Sequence, residues 1–384
     1  MGRVACISSA MTTFGKRDEW VVDLAAEAAL ECIDDTDIEA SDLDHVYLAN
    51  MASGEFEGQS GVVNALIDDI GATGAYGARI DQTSASGGAG VFAAWQSVAS
   101  GASDLTLLVG AEKMTHRTTA EATDIIASLT HPDEYKHGVT LPSFAGMVAR
   151  RYLETYDAPR ESLAQVAVKN HRHGIDNPHA QFRKEVDLET VLTSPVVADP
   201  LRLYDFCPIT DGSAALLFCS EEVAAEYTDT HSVISGIGGA SDTHVVHERA
   251  DPTHLGAVAG SADRAFDMAG VDRDEIDVAE LHDMFTILEV LQMEAIGWFE
   301  PGRGWEAVEA GVTERDGSLP VNTSGGLKSK GHPLGATGVA QVDEVHRQLT
   351  DRAGPRQVDA TVGLACNVGG FGNCVTTTIM EVGA

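Results

Sequence analysis

Residues 321–338 read VNTSGGLKSKGHPLGATG, a glycine-rich stretch that runs into the helix-periodic segment 339–349. Glycine lets a backbone turn sharply or approach another group closely, so this stretch predicts a loop that opens a helix. His332 stands between glycine and proline, and we expect backbone geometry rather than core packing to hold its ring. An imidazole held in this way is a candidate general base, and an ordinary surface-loop histidine is the alternative.

A second glycine-rich stretch, DQTSASGGAG at 81–90, predicts a similar loop before a helix over 91–99. Ser84 lies where an extended segment turns into that helix, beside free backbone N–H groups and the positive end of the helix dipole. These groups favour a developing anion, so Ser84 is a candidate nucleophile. Serine is also a common helix cap, which is the structural alternative.

Two further motifs stand beside predicted strands. The segment ELHDMF at 280–285 contains His282, and ACNVGGFG at 365–372 predicts a turn between the last two strands with Cys366 at its head. A single buried cysteine is usually inert packing, whereas one that precedes a glycine-rich loop is more often functional. Both interpretations of Cys366 stay open.

The coarse pattern of the chain alternates short apolar runs with longer helix-periodic segments. This alternation predicts an α/β fold with parallel sheets covered by helices. From about 116 to 199 the chain is polar, with scattered Pro, His and Arg, and we expect an excursion from the sheets such as a lid. The similar Ser/Gly-rich loops of the two halves fit two related α/β units.

The charge balance limits the kinds of partner that the protein can bind. The 384 residues carry 59 acidic and 25 basic side chains, a formal net charge of −34, and only seven of the bases are lysine. Such a surface repels nucleic acid and anionic membranes, so we expect neither as a partner. It suits concentrated salt, because the Debye length falls to about 3 Å at about 1 M. We expect a halophilic source, with an ordinary acidic cytosolic protein as the alternative.

Cysteine and histidine spacing predicts no metal site. The six cysteines form no Cys-x-x-Cys pair, which argues against zinc and against a disulfide framework. His171, His173 and His179 include an H-x-H spacing but lack an evident fourth ligand. The N-terminal segment lacks the features of a signal peptide, and no apolar run approaches the roughly 18 residues of a membrane helix. We therefore expect a cytoplasmic protein.

Taken together, these motifs resemble those of the thiolase family. The resemblance extends over the whole chain in the family's order, and GHPLGATG at 331–338 is its most specific part. It also includes VGAEKMT at 109–115, NPHAQF at 177–182 and PITDGSAAL at 208–216. The His-Asp start of the ELHDMF motif is similar to archaeal and sterol-carrier-protein-type acetyl-CoA C-acyltransferases.

The resemblance implies the thiolase fold and its division. That fold has two similar half-domains, each with a mixed five-stranded sheet, in a five-layer αβαβα arrangement with a loop domain over the active site. On this basis the N-terminal half covers 1–115 with 210–228, the loop domain covers 116–209, and the C-terminal half covers 229–384.

One position departs from the family pattern. The nucleophilic cysteine of the family lies in a Cys-x-Ser-Gly pattern, which here reads Ser84-Ala85-Ser86-Gly87. An alcohol does not ionise near neutral pH as an activated thiol does, so Ser84 needs a base during attack. His332 matches the family histidine that activates the nucleophile. The resemblance thus implies an acyl-Ser84 intermediate.

The remaining catalytic roles follow from the resemblance alone. Cys366 would remove the α-proton of the incoming thioester, and His282 would take that role if Cys366 is merely packed. His332 and His282 would hold the thioester oxygen of the same molecule as it becomes an enolate.

Backbone and binding groups are implied in the same way. The N–H groups of Ser84 and of the turn formed by Val368 and Gly369 would stabilise the acyl-enzyme oxyanion. The candidate substrate-binding residues are a cysteine near the pantetheine arm and four cations near the coenzyme A phosphates, namely Cys207, Arg183, Lys184, Lys328 and Lys330.

The implied function is a β-ketothiolase that condenses two acyl-CoA molecules for mevalonate or polyhydroxyalkanoate synthesis. Coenzyme A would be part of substrate and product, with no permanently bound cofactor. The alternatives are a degradative 3-ketoacyl-CoA thiolase and a non-catalytic subunit that binds acyl-CoA or lipid. The resemblance also implies a homodimer or homotetramer and a small companion subunit with an OB-fold and a zinc ribbon.

Overall fold

The strands of the two halves share one mixed sheet in a computed structural model, which describes residues 2–383. The strands of the described residues are β1 (Val4–Met11), β2 (His45–Ala49), β3 (Tyr76–Ile80), β4 (Leu105–Glu112), β5 (Val196–Ala198), β6 (Leu201–Arg202), β7 (Gly212–Ser220), β8 (Ser232–Ser241), β9 (Val278–Glu280), β10 (Val362–Gly369) and β11 (Cys374–Val382). The helices are α1 (Val21–Asp34), α2 (Ser53–Glu57), α3 (Val62–Asp69), α4 (Ser86–Ala99), α5 (Thr119–Ala127), α6 (Pro132–Tyr135), α7 (Leu141–Tyr156), α8 (Arg160–Gly174), α9 (Leu188–Thr193), α10 (Glu221–Ala224), α11 (Gly256–Ala269), α12 (Thr286–Ile296), α13 (Gly304–Glu309), α14 (Gly326–Ser329) and α15 (Thr337–Leu349).

The sheet has the strand order β3-β2-β4-β7-β1-β8-β11-β10-β9. It is mixed rather than parallel, because β2 runs parallel to β3 and β4, β9 runs parallel to β10, and the other pairs are antiparallel. The first half supplies five strands, as expected. The second half supplies four, and Val321 adds an isolated bridge to Ala279 at that edge.

Helices cover the strands in layers, which confirms the five-layer expectation. Helices α1 and α3 pack on the outer face of the first-half strands, and α11 and α12 pack on the outer face of the second-half strands. Helices α4 and α15 lie between the two sets of strands and share one apolar core with both. The two central helices therefore touch both halves.

The polar middle of the chain is mostly helical. It contains α5 to α9 and the β5–β6 ribbon, inserted between β4 and β7. Apolar side chains of α7 and α8 join the core of the second half together with α12. The boundaries 1–115 with 210–228, 116–209 and 229–384 stay a prediction.

Two local predictions are corrected. Helix α4 begins at Ser86 rather than at 91, so the glycines that predicted a turn lie within its first turns. The reason is packing, since a Cβ at Gly87 would lie 2.6 Å from the backbone nitrogen of Gly338 in α15. Strand β10 continues through Cys366, which therefore lies in a strand and not in a turn.

Three further features of the described residues concern membrane spans, cysteines and metal sites. No helix within 2–383 is long and apolar enough to cross a membrane. The six cysteines are free thiols. In the same part of the chain, no group of three or more His, Cys, Asp or Glu side chains is placed to hold a metal ion.

Candidate active site

Three of the predicted residues, Ser84, His282 and His332, come together at the start of the two central helices. The rings of His282 and His332 meet edge to face with their centroids 4.9 Å apart. Asn367 joins His282 to the Ser84 loop, because its Nδ2 lies 3.1 Å from His282 Nδ1 and 3.3 Å from the Ser84 carbonyl oxygen. Ser84 and His332 line the same cavity.

Ser84 does not act as a helix cap. Its side chain is fully buried, and its Oγ has no hydrogen-bond partner among the described residues. Ser86 closes the turn instead, because its Oγ accepts from the Gln82 N–H at 2.9 Å and donates to the Thr83 carbonyl at 2.6 Å. The hydroxyl of Ser84 is thus free at the N-terminal end of α4, where the helix dipole favours negative charge.

His332 is held as a neutral base. The Thr337 hydroxyl donates to the Pro333 carbonyl at 2.9 Å, so its oxygen accepts from His332 Nδ1–H at 2.7 Å. The proton therefore lies on Nδ1 and the Nε2 lone pair is free, with no partner within residues 2–383. Burial lowers the pKa of His332 to about 3, so the ring is uncharged at neutral pH.

His282 has the opposite arrangement. The Asn367 amide can only donate from Nδ2, so His282 Nδ1 is the acceptor and the proton lies on Nε2. That Nε2 is buried without a partner in the described chain. Burial, and to a lesser extent His332, lowers the pKa of His282 well below its usual range. The site therefore offers one free base and one free N–H donor.

Cys366 lies outside this group, contrary to the expectation for an acid–base residue. Successive side chains of a strand point to opposite faces, and Asn367 faces α4. Cys366 faces the outer core, where its Sγ lies 3.8 Å from the Thr377 hydroxyl, which in turn lies 2.8 Å from that of Ser261 in α11. Burial also raises the pKa of the Cys366 thiol to about 12. We assign it to packing.

Asn367 is the residue that the sequence reading missed. The motif ACNVGGFG drew attention to its cysteine, but the alternation of a strand would have shown that only one of two neighbouring residues can face α4. The alternation of a strand already places Cys366 and Asn367 on opposite faces. The register of β10 was needed to decide which of the two faces α4.

A cavity of about 330 Å³ opens beside Ser84 and His332. Most of its wall is apolar and comes from α5, α7 and the loop before β7, with side chains such as Ile126, Leu141 and Phe206. Cys207 also lines this cavity, and its predicted place near the pantetheine arm stays a prediction. Burial raises the pKa of the Cys207 thiol to about 12.

A second cavity of about 350 Å³ shares Leu203, Phe206, Cys207 and Pro208 with the first. Lys184 and Lys328 are among its lining residues, together with the buried ring of His171, and none of the lining residues is acidic. This is unusual in a chain with a net charge of −34.

The other two predicted cations lie elsewhere. Lys330 is buried, with its ammonium 3.3 Å from the Glu280 carboxylate, so it faces the interior and not a ligand. Arg183 is exposed, and its Nε donates to the Ile175 carbonyl at 3.1 Å. Neither residue lines the two cavities. Both lysines shortly precede His332 in the sequence, but the local pattern did not show that Lys330 pairs with a buried acid.

Gly369 packs directly against the Ser84 loop. A Cβ at Gly369 would lie 2.6 Å from Thr83 Oγ1 and 2.9 Å from the Gln82 carbonyl oxygen. Val368 precedes it with a side chain in the outer core. The oxyanion-hole role of these backbone groups stays a prediction.

Glu112 anchors the loop that contains His332. Its buried carboxylate accepts from the N–H groups of Met51, Ala52 and Gly335 and from the Asn50 amide. Three of these donors belong to the first half and one to the 331–338 loop. This explains the acid within the VGAEKMT segment, because Glu112 fixes the histidine loop to the end of β4 and to the segment that follows β2.

The fold is similar to that of a solved structure. The solved structure of the "Ltp2-ChsH2(DUF35) aldolase" matches with a TM-score of 0.85 over 99% of this chain and 98% of that chain. The sequence identity is 24%, so this likeness concerns the fold alone.

The family follows from sequence. The "Thiolase, N-terminal domain" model matches residues 4–222 and the "Thiolase C-terminal domain-like" model matches residues 238–382. The chain belongs to the thiolase family, as its motifs indicated. It is 42% identical to an acetyl-CoA acetyltransferase of Methanothermobacter thermautotrophicus over 99% of this chain and 100% of that one. It is 31% identical to human sterol carrier protein 2 over 99% of this chain and 72% of the other. The chain is an acyltransferase of this family.

Proposed function

We propose that this enzyme is a β-ketothiolase, an acetyl-CoA C-acyltransferase, that condenses two acyl-CoA molecules to a 3-ketoacyl-CoA through an acyl-Ser84 intermediate. The observation that supports this most directly is the free Ser84 hydroxyl beside an apolar cavity that also exposes His332. A serine becomes a nucleophile when a neighbouring neutral histidine can take its proton, and His332 Nε2 has the free lone pair for that transfer.

Acylation transfers the acyl group of the first acyl-CoA to Ser84. The Ser84 oxygen attacks the thioester carbon and its proton passes to His332 Nε2. Backbone N–H groups of Ser84 and of the Val368 and Gly369 segment hold the oxyanion. The C–S bond breaks, and His332 returns the proton to the coenzyme A sulfur. The acyl group remains on Ser84 as an ester.

Condensation uses the second acyl-CoA. Its α-carbon gives a proton to a base of the site and attacks the carbonyl carbon of the Ser84 ester. The new C–C bond forms, the ester C–O bond breaks, and the serine oxygen leaves and takes up a proton from that base. His282 Nε2–H is the group that can donate to the thioester oxygen as it becomes an enolate. No permanent cofactor takes part in these steps.

Coenzyme A would occupy the second cavity. Lys184 and Lys328 supply positive charge, and no acidic side chain lines the cavity, although Asp283 and Asp205 lie near the buried Lys328. The shared residues 206–208 connect this cavity with the one beside Ser84. A polyanionic ligand needs such a place on an acidic protein. Of the four cations predicted to bind coenzyme A, this assignment keeps Lys184 and Lys328.

The direction of the reaction, the oligomeric state and a companion subunit are further proposals. The Methanothermobacter relative is named an acetyl-CoA acetyltransferase, which favours acetyl groups as the transferred groups. We expect the condensing direction, with a product that enters mevalonate or polyhydroxyalkanoate synthesis. A homodimer or homotetramer is expected.

A small companion subunit is also expected, since one structural neighbour is named as a complex with a DUF35 protein. Exposed apolar side chains at Phe182, Val197 and Leu203 beside the cavities offer it a surface. Full activity of the purified chain alone would argue against the companion.

The test of the function is a condensation assay with acetyl-CoA on three forms of the chain. We expect Ser84→Ala to lose product formation and Ser84→Cys to keep it, because a thiol can replace the alcohol in the same position. Unchanged product formation by Ser84→Ala would contradict the proposal. Circular dichroism on each form controls for folding.

A further inference from the structure

We infer that Asn367 is a positioning residue that keeps the proton of His282 on Nε2, and that His332 is consequently the single base of both half-reactions. The inference deepens the proposed function and rests on it. It concerns the identity of the group that removes the α-proton of the second acyl-CoA.

The orientation of Asn367 is fixed by the backbone of α4. Gly88 lies in the first turn of that helix, where an N–H has no partner within the helix. This N–H donates to Asn367 Oδ1 at 2.9 Å, so the amide cannot exchange its oxygen and nitrogen without leaving the donor unpaired. A Cβ at Gly338 would lie 2.4 Å from the same oxygen, so only glycine leaves room for the amide.

The fixed amide determines the protonation of His282. With Oδ1 on Gly88, the NH₂ group faces His282 Nδ1 at 3.1 Å, and an amide NH₂ donates only. The backbone of His282 is held as well, because Gln292 accepts from its N–H and donates to its carbonyl, both at 3.0 Å. Neutral His282 therefore has its proton on Nε2 and is a donor, not a base.

The other candidates for the base fail on position or protonation. Cys366 faces the outer core, and Met284 at the cavity wall has no basic group. Cys207 lines the cavity, but its raised pKa of about 12 keeps the thiol protonated at neutral pH. His332 Nε2 is the remaining lone pair beside Ser84.

His332 can serve twice because acylation restores it. After it has protonated the departing sulfur, Nε2 is free again and can take a proton from the α-carbon of the second thioester. His282 Nε2–H donates to the enolate oxygen while the carbanion attacks the Ser84 ester. The ester C–O bond breaks, and His332 gives its proton to the serine oxygen, so the enzyme returns to its first state.

Asn367→Asp tests this assignment. The carboxylate keeps the acceptor for Gly88 but accepts from His282 Nδ1–H, so Nε2 loses its proton and the donor disappears. Two rates are measured separately: the loading of Ser84 by propionyl-CoA, and the transfer of that propionyl group to acetyl-CoA. The substitution also removes the 3.3 Å hydrogen bond from Asn367 Nδ2 to the Ser84 carbonyl oxygen, so we expect loading to slow by less than about tenfold. Transfer should fall about 100-fold, the usual cost of one oxyanion donor.

The matched control is Cys366→Ala, the neighbouring residue on the opposite face of β10, for which we expect both rates unchanged. Equal loss of both rates in Asn367→Asp, or loss of transfer in Cys366→Ala, would overturn the inference. The wild type gives an independent measurement that needs no variant to fold. In ¹⁵N-histidine NMR, with His282→Gln for assignment, His282 should show a protonated Nε2, and a protonated Nδ1 would overturn the inference. Absence of loading in the wild type would instead reject the proposed function.

Discussion

The rings of His282 and His332 touch, yet their partners place the proton on opposite nitrogens. Thr337 accepts from His332 Nδ1–H, whereas Asn367 donates to His282 Nδ1. Two neutral rings of the same type, in edge-to-face contact, thus offer one free base and one free donor, and His332 is the one that lines the cavity beside Ser84. Burial keeps both uncharged, because each has a lowered pKa.

The first prediction at this scale concerns pH. Because the pKa of His332 is about 3 instead of the ordinary 6.5, the ring loses its lone pair only as the pH falls toward 3. The rate at which propionyl-CoA loads Ser84 should therefore stay constant from pH 8 down to about 5. Rapid quenching and mass spectrometry measure this rate. A decrease centred near pH 6.5 would show an exposed, ordinary histidine and contradict the structure.

A second prediction compares neighbouring cations. Lys184 lines the proposed coenzyme A cavity and Arg183 does not, although both are exposed. Lys184→Ala should raise the KM for acetyl-CoA about tenfold, equivalent to roughly 1.4 kcal/mol, with little change in kcat. Arg183→Ala is the control and should leave both constants unchanged. Equal effects of the two variants would remove the assignment of this cavity.

Individual residues were predicted unequally well from sequence. Ser84 and His332 stand in motifs whose local pattern already limits what they can do. Asn367 and Lys330 depend on partners far away in the chain, Gly88 and Glu280 among them, so no local pattern identifies their roles. Of the two interpretations of Cys366, the structure favours packing for the same reason, because the strand register turns its neighbour Asn367 toward α4.

At the scale of elements, contact between α4 and α15 creates the site. The first helix begins just after Ser84 and the second just after the His332 loop. Their backbones touch, since a Cβ at Gly338 would lie 2.3 Å from the Gly88 nitrogen. Gly87 and Gly88 of the first motif and Gly338 of the second allow this contact. The sequence predicted two helices opened by glycine-rich loops, but it could not show that the glycines face each other.

Gly338→Ala tests the contact. The added methyl group must push the helices apart, and we expect a loss of about 1–3 kcal/mol in the free energy of unfolding together with slower loading of Ser84. Gly260→Ala in α11 is the matched control, because its Cβ would meet only Ala240 at 3.6 Å. That variant should be neutral or gain about 0.5–1 kcal/mol. Urea unfolding measures both, and equal stability of the two variants would contradict the contact.

For the whole molecule, the net charge of −34 is concentrated at the surface. Four of the seven lysines are buried, three of them in ion pairs with interior carboxylates: Lys113 with Asp211, Lys169 with Glu289, and Lys330 with Glu280. Only Lys16, Lys136 and Lys184 are exposed. Composition predicted an acidic surface, and the structure shows that most lysines do not offset it.

Self-repulsion of this surface predicts a dependence on salt. We propose that the chain is halophilic, so its thermal midpoint should rise steadily with KCl up to about 2 M, as screening shortens the Debye length from about 10 Å at 0.1 M to about 3 Å at 1 M. KCl is preferred to a sulfate because sulfate also strengthens apolar burial. A midpoint that stays constant or falls with KCl would contradict this proposal.

The acyl-serine is the central claim, and its direct measurement is peptide mass mapping after incubation with propionyl-CoA and rapid quenching. The prediction is a propionyl group on the peptide that contains Ser84, present before acetyl-CoA is added, released when it is added, and missing in Ser84→Ala. A propionyl group on a cysteine instead, or condensation that proceeds with Ser84 never labelled, would contradict the claim.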